Sequence, residues 1–174
     1  MASTLNVDNI VGATTAANVK LPAGSILQVQ TAALHNGTSV PQTTSTSMVA
    51  TGHTLSITPK YSNSIIMLYY STSFTTLSGN GTGGTAMKFY KSVGGGAYSV
   101  VTSMTSSQNA GFLEYSSSTG GYNHSVGTIM CTDSPATTSA ITYQLYFQRV
   151  GSVSNASIQQ DWGGSHFHAM EISV

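Results

Sequence analysis

The stretch Ile141-Thr142-Tyr143-Gln144-Leu145-Tyr146-Phe147-Gln148 decides the fold class of this 174-residue chain. Its odd-numbered residues are apolar, and its even-numbered residues are mostly polar. Side chains of a β-strand point alternately to its two faces, so this period of two gives the strand one apolar face. The stretch therefore predicts a strand that packs one face against a core.

Segments of the same character recur from residue 25 to the end of the chain. The predicted strands are 26–30, 54–58, 64–74, 86–91, 97–101, 111–115, 126–131, 141–150 and 167–174. Stretches rich in Gly, Ser, Thr or Pro predict turns and loops at 79–84, 94–96, 116–121, 133–135 and 151–155. Eight to ten short strands without a helical period predict an all-β sandwich, with a jelly roll as its topology.

Residues 1–24 differ from the rest of the chain. Their apolar residues are sparse and follow no sustained helical period, and the segment ends at the turn signal Pro22-Ala23-Gly24. Such a segment cannot build a core of its own, so we expect a docking arm rather than a frayed terminus, and a head domain at 25–174. The arm residues expected to contact a partner are Leu5, Val7, Ile10, Val11, Val19 and Leu21.

Charge is scarce in this chain. Lys and Arg number five, Asp and Glu number five, and charged residues make up 6% of the sequence, against about 25% in an ordinary soluble domain. Five scattered cations cannot replace the counterions of a nucleic acid, so nucleic acid is not an expected partner. The longest apolar run, 65–70, falls far short of the roughly 20 residues of a membrane helix. Cys131 has no second cysteine to pair with.

The same scarcity predicts self-association. Near-zero net charge favours association, and a β-protein with few lysines has little with which to protect its exposed strand edges. We therefore expect a symmetric oligomer in which neighbouring copies cover those edges.

Several short motifs occur along the chain: 3–10 and 21–29, S-I-T-P at 56–59 followed by 62–66, D-S-P-A-T-T-S-A-I-T-Y at 133–143, and A-M-E-I at 169–172. These motifs resemble those of small structural proteins of tailed bacteriophages, especially marine ones. Asn63 stands where relatives commonly have Lys. The likeness spans nearly the whole chain, although each motif is short.

The resemblance implies a role on the virion surface. Such proteins are fibres or capsid-decorating (cement) proteins, commonly homotrimers with jelly-roll heads akin to tumour-necrosis-factor and C1q modules. The expected function is a trimeric capsid decoration or head-fibre protein, assembled in the host cytoplasm and docked by residues 1–24 on a shell or tail protein. The alternative is a tail-fibre or receptor-binding protein that contacts host surface glycans.

Two groups of residues are candidates for a glycan contact. Tyr122 and Asn123 follow a glycine pair in a predicted loop, and Asp161 and Trp162 precede another one. An exposed aromatic ring beside an amide or a carboxylate suits a sugar ring. Buried packing is the alternative for Trp162, because an indole hides a large apolar area.

His166 and His168 are the candidate metal ligands. Residues two apart on a strand share a face, and three copies around a three-fold axis would bring six imidazole nitrogens round one point, an octahedral set. The alternative is that this face continues through Met170, Ile172 and Val174 as packed core. No resident cofactor is expected.

Enzyme signatures are missing from the sequence. It has no G-x-S-x-G motif, and the glycine pair Gly79 and Gly84 lacks the Lys-Ser/Thr of a phosphate loop. The five acidic residues are spread apart and suggest no acid–base pair. Asp133 is expected to fix the turn before Pro135, and Cys131 to serve as a small buried hydrophobe. We therefore do not expect an enzyme.

Overall fold

The computed structural model describes residues 21–34, 41–77, 83–104, 122–158 and 164–174. Within these ranges the chain forms ten β-strands and one short 3-10 turn, Thr102–Met104, and no helix long and apolar enough to cross a membrane. The strands are β1 Ile26–Leu34, β2 Gln42–Thr43, β3 Val49–Ile57, β4 Ile65–Leu77, β5 Gly83–Val93, β6 Ser99–Val100, β7 Tyr122–Asp133, β8 Ile141–Gly151, β9 Asn155–Ile158 and β10 Ser165–Ile172. The predicted all-β class is confirmed.

The strands form two antiparallel sheets. Sheet A has the order β1-β10-β4-β9-β2, with β7 paired to the free side of β4, and sheet B has the order β3-β8-β5-β6. The 13-residue strand β4 organises sheet A, because its first half pairs with β10 and its last four residues pair with β9. One apolar core contains residues of both sheets, so the two sheets pack as a β-sandwich.

The core is built from the alternate side chains of each strand that point between the two sheets. From β8, Ile141, Tyr143, Leu145 and Phe147 all point inward, as the sequence predicted. Opposite them, Phe167 of sheet A stacks on Phe89 of sheet B with ring centroids 5.4 Å apart. Full burial of such side chains contributes about 1.5–3 kcal/mol each, so this two-sided apolar layer is the main source of stability.

The sequence prediction and the structure differ at the short strands. β2 and β9 were not predicted, and the predicted strand 97–101 is reduced to the two residues of β6. A strand of two to four residues shows no period, and β9 exists because β4 extends past β10 and offers it an edge. The predicted strand 111–115 lies outside the described residues.

A buried carboxylate holds the turn before β4 against sheet A. Glu171 has no exposed surface. Its Oε1 accepts hydrogen bonds from the Lys60 amide at 2.7 Å and from the Ser64 hydroxyl at 2.7 Å. Its Oε2 accepts from the Gln28 side-chain amide at 2.6 Å. The carboxylate therefore ties β1, β10 and the turn between β3 and β4 together.

Candidate functional site

The outer face of sheet A is the most unusual surface of the described chain. It is formed by the side chains of β1, β10, β4 and β7 that point away from the core. These are Ile26, Val29, Thr31 and Ala33 on β1; His166, His168, Met170 and Ile172 on β10; Ile65, Met67, Tyr69 and Ser71 on β4; and His124, Val126, Thr128, Met130 and Thr132 on β7. The strands hold these side chains in fixed cross-strand rows.

Two of these rows run through the middle of the face. Met170 lies opposite Val29 on β1 and opposite Met67 on β4. In the next row, His168 lies opposite Tyr69, and Tyr69 lies opposite Met130 on β7. The centre of the face therefore consists mainly of thioether, aliphatic and aromatic side chains.

Large apolar side chains on this face are open to solvent. The exposed fractions are 75% for Val126, 66% for Met130, 54% for Ile26 and 48% for Val29. Four strands about 4.8 Å apart and eight residues long at about 3.4 Å per residue give the face an area of roughly 500 Å². This footprint includes the polar members of the face, and the exposed apolar side chains within it form a patch of the kind that commonly marks an interaction site.

No member of the outer face of sheet A carries a formal charge when histidine is neutral. The two acidic residues of β7 and β10, Asp133 and Glu171, point inward instead and are 3% and 0% exposed. A surface that must remain in water normally carries interspersed charges. This face therefore has the character of an interface.

The predicted metal ligands lie side by side on this face. The rings of His166 and His168 are nearly parallel, with centroids 6.3 Å apart and planes 10° apart, and His168 packs against Tyr69 at 5.8 Å. The packed-core alternative for this side of β10 is wrong, because the core side is formed by Phe167 and Ala169. No group of three or more His, Cys, Asp or Glu residues within the described ranges is placed to hold a metal.

The predicted glycan and arm residues are placed only in part. Tyr122 and Asn123 do not lie in a loop: they begin β7, opposite Leu77 and Thr76 of β4, because β4 is long enough to pair them. Asp161 and Trp162 lie outside the described residues, as do all the arm residues except Leu21. Leu21 is 46% exposed and borders a shallow depression of about 160 Å³ with Tyr61 and Val174.

The outer face of sheet B carries an aromatic cluster that the sequence prediction missed. Tyr90 of β5 stacks on Tyr146 of β8 with ring centroids 4.0 Å apart, and Tyr98 lies 6.1 Å from Tyr146. Burial, followed by the proximity of Tyr98 and Tyr90, raises the pKa of Tyr146. The available signal was Tyr146 itself, a large aromatic on the polar side of an otherwise regular alternation.

Cys131 is not placed as a nucleophile. Its side chain is partly buried and packs against the core. Burial raises the pKa of the thiol to about 11, against a smaller opposing effect of Ser103. A thiol that stays protonated at neutral pH is a poor nucleophile and a poor metal ligand.

Comparison with protein-family models and with curated proteins found no relative of this chain. No protein-family model matches the chain, and no curated protein matches it at a significant level. Assignment of function therefore rests on the sequence motifs and on the two outer faces.

Proposed function

We propose that this chain is a structural virion protein of a tailed bacteriophage, a homotrimeric capsid decoration or head-fibre protein anchored by residues 1–24. The observation that carries the proposal is the uncharged, apolar outer face of sheet A. A protein whose function is to hold subunits together needs such a face, and a free monomer does not.

The strand order supports a jelly-roll topology. Apart from β2 and β9, the sheets have the orders β1-β10-β4-β7 and β3-β8-β5-β6. Successive strands therefore alternate between the sheets except where β5 and β6 form a hairpin, which is the connectivity of two Greek keys wound together. This is the head expected from the phage-protein resemblance.

The size of the face supports closed assembly. A stable interface buries about 800 Å² on each partner, and this face of roughly 500 Å², with its apolar rows, supplies a large part of such an area. In a closed ring of three, each copy meets two neighbours, and the three outer faces of sheet A converge on the axis. The strands of sheet B then remain on the outside.

The assembly is tested by measuring mass in solution. We expect sedimentation equilibrium to give three 18.0 kDa chains, about 54 kDa. Met130→Lys and Val126→Lys each place a charge at a highly exposed apolar position of the face, on its edge strand β7, and should yield monomers. Val93→Lys is the matched control, because Val93 is an exposed aliphatic residue on sheet B. A wild-type monomer, or a trimer that tolerates both charges, contradicts the proposal.

Attachment to the particle is tested separately. A variant lacking residues 1–24 should remain a trimer and should fail to co-sediment with purified phage particles that bind the full chain. Binding that survives the deletion would remove the docking role of the arm. Failure of the full chain to bind any particle would remove the virion assignment and leave the trimer intact.

A further inference from the structure

We infer that the outer face of sheet B carries a carbohydrate site, in which a pyranose ring packs against the cluster Tyr90, Tyr98 and Tyr146. This inference goes beyond assembly and does not depend on it. It also places glycan contact at residues other than Tyr122, Asn123, Asp161 and Trp162.

The cluster is held by three separate segments. Tyr90 lies on β5 and Tyr146 on the adjacent β8, diagonally across the ladder in which Tyr90 faces Gln144 and Lys88 faces Tyr146. Tyr98 comes from the turn that leads into β6 and is 37% exposed. Its ring is tilted by 50° to that of Tyr146, whereas Tyr90 and Tyr146 are within 23° of parallel. The strands thus fix a stacked pair, with a third ring inclined beside it.

A preformed group of rings lowers the cost of binding. The ladder and the 4.0 Å stack restrict the rotamers of Tyr90 and Tyr146 before any ligand arrives. Ordering a flexible side chain on binding otherwise costs free energy, and side chains that are held in place before the ligand arrives avoid that cost. Tyrosine also supplies contact area with few rotatable bonds, which explains its frequent use in binding surfaces.

The chemistry around the rings fits a sugar. A pyranose presents C–H groups on its faces and hydroxyls round its rim, so it requires aromatic surface beside polar groups. The three phenols supply both, and Lys88 and Gln148 occupy neighbouring outward positions on the same two strands. Lys88 is directly opposite Tyr146.

Nucleic-acid bases also stack on tyrosine, but the chain has too few cationic side chains to bind the phosphates that accompany them. Each nucleotide brings a phosphate, and binding of single strands relies on a cationic groove beside the aromatic rings. The whole chain has five Lys and Arg residues, and Lys91 of β5 is already used in an inward ion pair. A saccharide needs no such groove.

The outer faces of sheet A and sheet B also differ in the functional groups that they present. The outer face of sheet A has no cation, whereas the face around the tyrosines combines rings, hydroxyls, an amide and an ammonium group. If sheet A faces the three-fold axis, sheet B is the surface that a particle presents to its surroundings. The site is then repeated three times on each trimer, and weak single contacts gain from multivalency.

The test uses the full chain and three named probes: β-1,4-galactotetraose, cellotetraose and tetragalacturonate. Binding is measured by saturation-transfer difference NMR and calorimetry. We expect at least one probe to bind, and Tyr98→Ala to weaken that binding by about tenfold, the equivalent of one aromatic contact. Tyr98→Phe keeps the ring and should retain binding within about threefold, since it removes one hydroxyl hydrogen bond.

Tyr61→Ala is the matched control, because it removes a tyrosine remote from the cluster and should leave binding unchanged. Circular dichroism verifies that each variant is folded. The inference is overturned if none of the three probes binds, or if Tyr98→Ala and Tyr146→Ala bind as the wild type does. A monomeric chain that binds a probe through Tyr98 would refute the trimer and uphold the carbohydrate site.

Discussion

The Lys91 ammonium lies 2.7 Å from Oδ1 and 2.8 Å from Oδ2 of Asp133, although the two residues belong to different sheets. The Tyr143 hydroxyl donates to the same carboxylate at 2.8 Å. Asp133 therefore joins the sheets at one end of the sandwich, and it does not serve chiefly to fix the turn before Pro135. Burial and the neighbouring carboxylate raise the pKa of Tyr143, so its hydroxyl remains a donor.

Replacing Lys91 with Met should destabilise the fold strongly. The Asp133 side chain is 1% exposed, so removal of its cation leaves a buried carboxylate without a counter-charge. Breaking such a pair costs about 3–5 kcal/mol. Urea unfolding measures the loss. Lys60→Met is the control, because the Lys60 ammonium makes one exposed hydrogen bond to Leu27 and its removal should cost below about 1 kcal/mol. Equal losses in both variants would contradict the role of the pair.

Glu171 should make the fold sensitive to acid. Burial opposes its ionisation, but hydrogen bonds from Gln28, Ser64 and the Lys60 and Tyr61 amides outweigh that effect and hold its pKa below the usual value. A lowered pKa in the folded state contributes stability that is present above the unfolded pKa, about 4.3, and lost as pH falls through the folded pKa. Thermal unfolding between pH 7 and pH 2 should show this loss.

Glu171→Gln should remove that part of the pH dependence and lower stability at pH 7. Hydrogen bonds to a charged acceptor contribute about 1.5–3 kcal/mol, and a neutral amide forms weaker ones. The expected result is a variant that is less stable than wild type at pH 7 and closer to it at pH 2. Parallel pH profiles for the two proteins would show that Glu171 does not carry the effect.

Gly83→Ala should destabilise β5 at its first residue. A Cβ at this position would collide with the Val150 carbonyl oxygen of the paired strand, which is backbone and cannot move aside cheaply. Forcing extra volume into a packed site costs about 1–3 kcal/mol. The control is Gly52→Ala, where the added Cβ meets nothing within 4 Å but the backbone φ is +82°. Its cost is about 1–2 kcal/mol of backbone strain, without a clash. Chemical denaturation compares the two. Gly83→Ala should also change amide exchange at the end of β8 around Val150, whereas Gly52→Ala lies opposite the middle of β8 and should leave exchange at Val150 unchanged.

The proposed trimer should resist salt and weaken in the cold. Its proposed interface has no formal charges, so screening by about 1 M salt removes little attraction. Hydrophobic association is driven by entropy near room temperature and weakens on cooling. Sedimentation at low and high salt and at two temperatures tests both statements. Dissociation by salt alone would indicate an electrostatic interface elsewhere on the chain.

The long strands were predictable because burial leaves a period in the sequence. The alternation from Ile141 to Phe147 predicted the buried face of β8, and Gly94 and Gly95 predicted the hairpin between β5 and β6, where both adopt positive φ. Strand β9 was missed, because four residues carry no period and its place depends on the length of β4. The aromatic cluster was missed because Tyr146 is far from Tyr90 and Tyr98 in sequence and meets them only through the pairing of β8 with β5.

By itself the sequence determined the class of fold, the near absence of charge and the identity of the side chains on each strand face, because these follow from composition and from a period of two. Where both faces of a strand carry apolar side chains, as in β10, only the tertiary structure settled which face became core. His166 and Met170 could have faced inward with equal local propensity, and the pairing of β10 between β1 and β4 assigned Phe167 to the core instead. Nonlocal strand pairing makes that choice, and no local pattern contains it.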